Sequence, residues 1–203
     1  MKKICWFFVF VLNAFGIANA QSMGGFFVEP MITLEKGNGE VDFPSPFNSS
    51  TTNIDGFGVG TRLGFHVFES IFLGVDGRYA MPEFKDSSLG QKIQARSWNY
   101  GPVLGLQMPT SLALRFWAGY IFDGQLDPDK DENVDEKFTD ATGYRIGAGI
   151  KFSFISLNLE FQSLNYDKSE INEIGVFNPG YSNSNIDLNT TSWILSASIP
   201  ISI

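Results

Sequence analysis

Groups able to do acid–base or metal chemistry are few in this chain, and their spacing narrows what they can do. The single histidine, His66, lies in the stretch GFGVGTRLGFHVFES over 56–70. A hydrolytic triad needs a histidine bonded to a nucleophile and oriented by an acid. No Ser-His-Asp spacing surrounds His66, so it reads as an interior filling side chain and no enzyme is expected. The acids crowd into GQLDPDKDENVDEKFTD, over 124–140. Asp127-x-Asp129-x-Asp131 opens like a calcium loop, but Glu132 stands where the turn needs glycine and Phe138 where a bidentate glutamate belongs. Asp127, Asp129, Asp131 and Asp135 are therefore expected to form at most a weak divalent-cation loop that shares ions with neighbouring phosphates. No specific metal site and no cofactor is expected.

The remaining charges follow a different rule. In the 56–70 stretch Phe57, Val59, Leu63, Phe65 and Val67 alternate with Gly58, Gly60, Arg62, Gly64 and His66. Successive side chains of a strand point to opposite faces, so one face is greasy and the other glycine-rich and charged. The same alternation recurs in eight segments, beginning near Phe26, Phe57, Ile71, Ser97, Leu112, Tyr144, Ile155 and Thr191. The polar faces collect Glu29, Arg62, Asp76, Arg78, Arg115, Asp123, Arg145, Lys151 and Glu160. Register about the short turns pairs Arg62 with Asp76 and puts Lys151 near Glu160. The glycines between them leave room for long arginines.

Those elements are bounded by a clear pattern of connections. Turns near 69–70, 109–111 and 154–155 are tight, whereas connections over about 37–53, 83–92, 124–141 and 165–189 are long. A meander with one tight end and one looped end, an even strand number and a greasy face is the plan of a barrel that crosses a membrane with strands. Lipid leaves no partner for open backbone, so the sheet must close. Closure also replaces disulfides as a source of stability, since the only cysteine, Cys5, lies in the leader. Tyr79, Trp98, Tyr100, Tyr120, Phe122, Tyr144 and Trp193 fall toward the looped end. Phe65, Phe152 and Phe154 fall toward the tight turns, which gives two aromatic belts. Pro30 and Pro102 each remove a ladder donor and predict local irregularity. A soluble sandwich or lipocalin-like barrel would put the greasy face inward and need polar outward faces. Here those faces are Gly-, Ser- and Ala-rich instead.

MKK, the apolar ICWFFVFVLNAFGIA and Ala18-Asn19-Ala20 form a secretory signal, giving a leader over 1–20 and a barrel domain over 21–203. The formal charge is -8 over the whole chain, which argues against nucleic acid as a partner.

In these features the chain resembles the small eight-stranded outer-membrane β-barrel family, the broad group of the OmpA-type transmembrane domain, OmpX and OmpW. The resemblance runs over residues 24 to 203 and implies an all-β fold, an eight-stranded antiparallel up-and-down transmembrane β-barrel. It implies location in the outer membrane of a Gram-negative cell, lipid and lipopolysaccharide as surroundings, and the barrel-assembly machinery as a partner during insertion. That machinery reads the last strand, here SWILSASIPISI, with Ile199, Ile201 and Ile203 on the lipid face. Some barrels of this size act on lipid A with a histidine at the outer interface, whereas His66 lies by a tight turn. A bare, monomeric barrel is expected, its lumen filled by paired charges and its long loops serving surface interaction with a ligand the sequence does not name. The second reading is a narrow porin or a channel for small hydrophobic solutes.

Overall fold

Backbone amides that face lipid need partners on both sides, and the fold gives them a closed ring. The computed structural model describes residues 25–42, 49–68, 70–86, 92–108, 110, 112–130, 134–174, 181–183 and 187–203. The signal segment 1–20, Glu69, Pro109, Ser111 and Asp131 lie outside the described residues. The strands are β1 (Phe26–Asp42), β2 (Ser50–Val67), β3 (Ile71–Asp86), β4 (Lys92–Gln107), β5 (Leu112–Ile121), β6 (Asp123–Pro128), β7 (Val134–Phe152), β8 (Ile155–Ile174), β9 (Tyr181–Asn183), β10 (Asp187–Ser198) and β11 (Ile201–Ser202). β5 with β6, and β10 with β11, each make one stave, so the wall is an antiparallel ring of eight. β1 pairs with β10 to shut it, and β7 pairs with β8 along nearly its whole length.

The alternation of the sequence sets the two faces. Phe27, Glu29, Met31 and Thr33 of β1 are buried, while Ile32 and Leu34 are 55% and 58% exposed. The exposed set continues around the wall with Leu104, Leu106, Phe116, Ile146, Leu157, Leu159 and Leu195. A water-soluble sheet buries such residues; a wall of them is what a hydrocarbon solvent requires. No helix among the described residues is long and apolar enough to cross a membrane, and a barrel needs none.

Two features depart from the sequence expectation. The long connections are mostly strand: β1 runs on to Asp42, β2 starts at Ser50, and β7 and β8 pair up to Val134 and Ile174. Beyond the aromatic belt the polarity inverts. There the inward residues are Ile54, Ala95, Ile121, Leu126, Phe138, Ala141, Leu164, Tyr166 and Leu188, all buried, and the outward ones are polar. The barrel therefore continues past the lipid as an ordinary water-facing sheet with its own apolar core.

The second departure is a bulge. Val103 pairs with Gly119, but Tyr100 pairs with Asp123, so the fifth stave carries one residue more than β4 over this span. Ile121 is buried and the next residue, Phe122, is exposed; the Phe122 amide donates to the Tyr100 carbonyl at 3.3 Å. The extra residue flips the facing of everything after it. It lies across from Gly101 and Pro102, where the missing proline donor leaves the ladder weakest. At Pro30 the matching irregularity is in its neighbour: β10 ends at Ser198 and the ladder resumes at β11.

Candidate functional site

Charged side chains from six staves meet inside the ring. Glu29 on β1 accepts from Arg115 Nη1 at 2.6 Å and Nη2 at 2.8 Å. It also accepts from Ser198 Oγ at 2.6 Å and Arg62 Nη1 at 3.4 Å. Asp76 on β3 accepts from Arg62 at 2.9 Å, Arg78 at 2.6 and 3.0 Å, and Arg145 at 2.9 Å. Glu160 on β8 takes Arg78 Nη2 at 2.8 Å and Ser196 Oγ at 3.1 Å. Three of these links cross the interior rather than follow the wall: β1 to β5, β3 to β8, and β3 to β7. The four arginines are each 8% exposed or less. A buried guanidinium is tolerable only when its charge is met by carboxylates in this way; Arg62 Nε, Arg78 Nη1 and Arg115 Nε are buried without a hydrogen-bond partner among the described residues.

Aromatic rings line the network on the tight-turn side. Phe27, Phe72, Val103 and Trp117 form a buried cluster. The Arg62 guanidinium carbon sits 4.7 Å from the Trp117 ring centre and that of Arg115 5.3 Å from Phe72, close enough for cation–π attraction. Two glycines admit these rings. A Cβ at Gly105 would come within 2.1 Å of Phe72 Cζ, and one at Gly147 within 2.4 Å of the Trp117 ring. Glycines thus make room for aromatic rings as well as for arginine, as at Gly60 beneath Arg78. Beside Asp76, Trp117 and Arg145 lies a cavity of about 10 Å³, room for one water. His66 packs against Phe27 at 4.8 Å and Phe72 at 6.2 Å between ring centres, a filling role.

Of the expected lumen charges, Glu29, Arg62, Asp76, Arg78, Arg115, Arg145 and Glu160 are brought together. Two are not. Asp123 is outward, because the bulge reverses its facing; it accepts from the Tyr100 hydroxyl at 3.2 Å within the aromatic belt. Lys151 points inward but stands opposite Ser156, while Glu160 stands opposite Gly147. The tight turn at Ser153, with φ at 53°, sets that register, and among the described residues Lys151 makes no ion pair. The acidic loop is also corrected. Asp127 and Asp129 belong to the outer wall, Asp127 opposite Arg96 and Asp129 3.6 Å from its guanidinium, while Asp135 pairs in register with Glu173 on β8. Among the described residues no group of three or more His, Cys, Asp or Glu could hold a metal ion.

Sequence reasoning missed the neutral partners. Gln162 accepts from Arg145 Nε at 3.0 Å, Asn99 accepts from Arg145 Nη2 at 2.7 Å, and Asn158 links Ser156, Ser196 and Ser198. A fourth carboxylate, Glu35, takes Ser192 Oγ at 2.5 Å and Gln162 Nε2 at 3.3 Å. All lie on inward parity positions, which is the signal that could have found them. Of the belt residues, Tyr79, Tyr120, Tyr144, Phe152 and Trp193 are exposed. Trp98 and Tyr100 are half-buried because they stack on each other at 5.8 Å. Outside the lipid level, burial holds the Glu136 carboxyl above the usual range despite the hydrogen bond from Ser169, and the bond to Asp140 raises the Lys168 ammonium.

A closed ring, a greasy wall and a charged interior can be set against known proteins. The family model for the outer membrane protein β-barrel domain matches residues 8–199. The chain belongs to this family. Among solved structures it is similar to the outer membrane protein OprG from Pseudomonas aeruginosa, with a TM-score of 0.55 at 10% identity, covering 88% of this chain and 97% of that one. It is also similar to Neisserial surface protein A, with a TM-score of 0.45 at 13% identity over 86% and 98% of the two chains. The outer membrane protease OmpT from Escherichia coli gives 0.48 at 8% identity over 91% and 99%. No curated protein matches the chain. The family and these neighbours are outer-membrane proteins of Gram-negative bacteria, and at these identities the likeness to solved structures speaks for the fold alone.

Proposed function

We propose that this barrel is a closed, non-catalytic outer-membrane protein whose work is structural and at the surface. The lumen is plugged by paired charges, and the long-hairpin end, facing outward by the family plan, presents a rigid rim for contact with envelope or partner-cell components. The leader over 1–20 directs export, the barrel-assembly machinery inserts the chain, and outer-membrane lipid and lipopolysaccharide surround it as a monomer. One observation carries the reading: the arginine–carboxylate network links opposite walls between two apolar layers, the Phe27–Trp117 cluster on one side and the Leu126–Leu188 cluster on the other. An ion would have to break desolvated pairs and then cross greasy packing, each step unfavourable by several kcal/mol.

Planar-bilayer conductance tests it. The folded barrel, checked by heat-modifiable gel mobility, is expected to give no discrete channels. Discrete channels whose size changes with Arg62→Gln or Lys151→Gln would replace this reading with that of a narrow pore.

A further inference from the structure

The bulge in the fifth stave opens a gap in the wall, and the gap has polar groups on its inner side. Register pairs end at Val103 with Gly119 and resume at Tyr100 with Asp123. Between them no register pair joins Gly101 or Pro102 to the fifth stave. The cavity of about 10 Å³ sits in this gap. Its lining spans the wall. Asp76, Trp117 and Arg145 come from the lumen side, Pro102 and Tyr120 from the lipid side.

The groups around it select one kind of ligand. Trp117 is buried, and its indole Nε1 has no hydrogen-bond partner among the described residues. That group can only donate. Arg145 Nη1 carries two hydrogens and donates one of them to Asp76 at 2.9 Å. An acceptor is also at hand. A Cβ on Gly101 would lie 1.8 Å from the Tyr120 carbonyl oxygen, so the bulge has brought that oxygen onto the inner face beside the cavity. Asp76 already accepts four N–H bonds, from Arg62, Arg78 and Arg145, and its charge repels an anion. The ligand must therefore be small and neutral, accept from two N–H groups and donate to a carbonyl. Water does all of this, the space suits one molecule, and about three hydrogen bonds are typical of a buried water.

We propose that the gap is a water site built into the barrel wall. One ordered water accepts from the Trp117 indole and from Arg145 and donates to the Tyr120 carbonyl. It exchanges through the wall beside Pro102 and Tyr120, at the level of the outer aromatic belt where the hydrated interface begins, and not along the barrel axis. The buried arginine network is thus hydrated from the side. The exchange route rests on the closed lumen proposed above; the site itself does not.

The test uses the folded barrel, with isotopically labelled indole nitrogens, in phosphatidylcholine nanodiscs. Trp117→Phe identifies the Trp117 signal, and the exposed Trp193 gives the bulk-water comparison. Folded wild type is expected to show a magnetisation-transfer peak between water and the Trp117 indole proton, with the sign of a water held longer than the barrel tumbles. Val103→Ile puts one methylene into the cavity and removes that peak. Exchange of the same proton into heavy water reads the route: Phe138→Ala loosens the outer apolar layer and leaves the rate within about twofold, whereas Val103→Ile slows it about tenfold. If Phe138→Ala fails to fold, Leu126→Ala replaces it. Absence of the peak in folded wild type, or its persistence in folded Val103→Ile, overturns the site. A rate raised about tenfold by loosening the apolar layer overturns the sideways route. Discrete bilayer channels would instead refute the closed lumen on which the route rests.

Discussion

Glu29→Gln is the sharpest probe of what the interior network contributes. The glutamate is 0% exposed and accepts four hydrogen bonds, from both terminal nitrogens of Arg115, from Ser198 and from Arg62. Glutamine keeps one accepting oxygen and turns a donor amide toward a guanidinium. Two charge-assisted bonds go, at roughly 1.5–3 kcal/mol each. Arg62 retains Asp76 at 2.9 Å. Arg115 keeps the glutamine oxygen as one neutral acceptor, Ser156 at 3.3 Å and its contacts with the Phe72 and Trp117 rings, so among the described residues a buried cation is left without a carboxylate. The expected loss is about 3–5 kcal/mol, the usual penalty for removing one member of a buried pair. Arg115→Met in the same chain should restore much of it, because the orphaned charge is gone. Guanidinium titration of the folded barrel in micelles, followed by tryptophan fluorescence, measures both. A loss under about 1 kcal/mol in the single variant, or strict additivity in the double, would refute the claim that this link is structural.

Other perturbations separate the interior from its surroundings. Gly105→Ala drives a methyl into the buried Phe72 ring and should lower stability by about 1–3 kcal/mol. Gly77→Ala meets nothing nearer than 4.0 Å, so the same titration should stay within about 0.5 kcal/mol. Glu160→Gln should shift the unfolding midpoint strongly, because Arg78 loses its second carboxylate, whereas Lys151→Gln should leave it unchanged. The raised Glu136 group gives a pH test: its burial stabilises the protonated form, so folding of the β7–β8 hairpin is favoured at acid pH and weakens as pH climbs above the ordinary carboxylate value. Glu136→Gln should slow hydrogen exchange in that hairpin at neutral pH and leave it unchanged near pH 4, with the two proteins compared at each pH.

Facing was legible in the chain wherever period two held against lipid. Arg62 falls opposite Asp76 because both lie seven residues or fewer from one tight turn, and their parity cannot drift over so short a ladder. Parity failed at Asp123 because a bulge adds a residue without any local composition that marks it; only Pro102, on the neighbouring stave, hinted at the weak point. The long hairpins were hidden for another reason. Leu34 faces out and Ile54 faces in, Leu195 faces out and Leu188 in, so the apolar phase reverses where water replaces hydrocarbon. Read as one pattern, a phase reversal looks like a fading signal, and fading signals read as loops. Asn99 and Glu35 were on the correct face but lacked an obvious partner in sequence, since Arg145 and Ser192 lie far away in the chain, whereas Gln162 stands opposite Arg145 across the β7–β8 turn and was hidden by the same register that misplaced Lys151.

Six strands, β1, β2, β3, β4, β7 and β8, run without a break from the tight-turn end to above the aromatic belt; from Tyr144 to Val134 alone β7 rises a further ~25 Å, allowing for strand tilt. In these six strands no hinge separates the rim from the membrane-embedded wall among the described residues. A pull applied at the rim, along the strands, therefore loads the inter-strand hydrogen bonds sideways and many at once rather than peeling them singly, since those bonds lie across the strand direction. The force then reaches the arginine links that tie opposite walls. A barrel built this way can hold against shear on a moving cell surface, and its first point of failure would be the bulge beside Phe122, where the ladder is already interrupted.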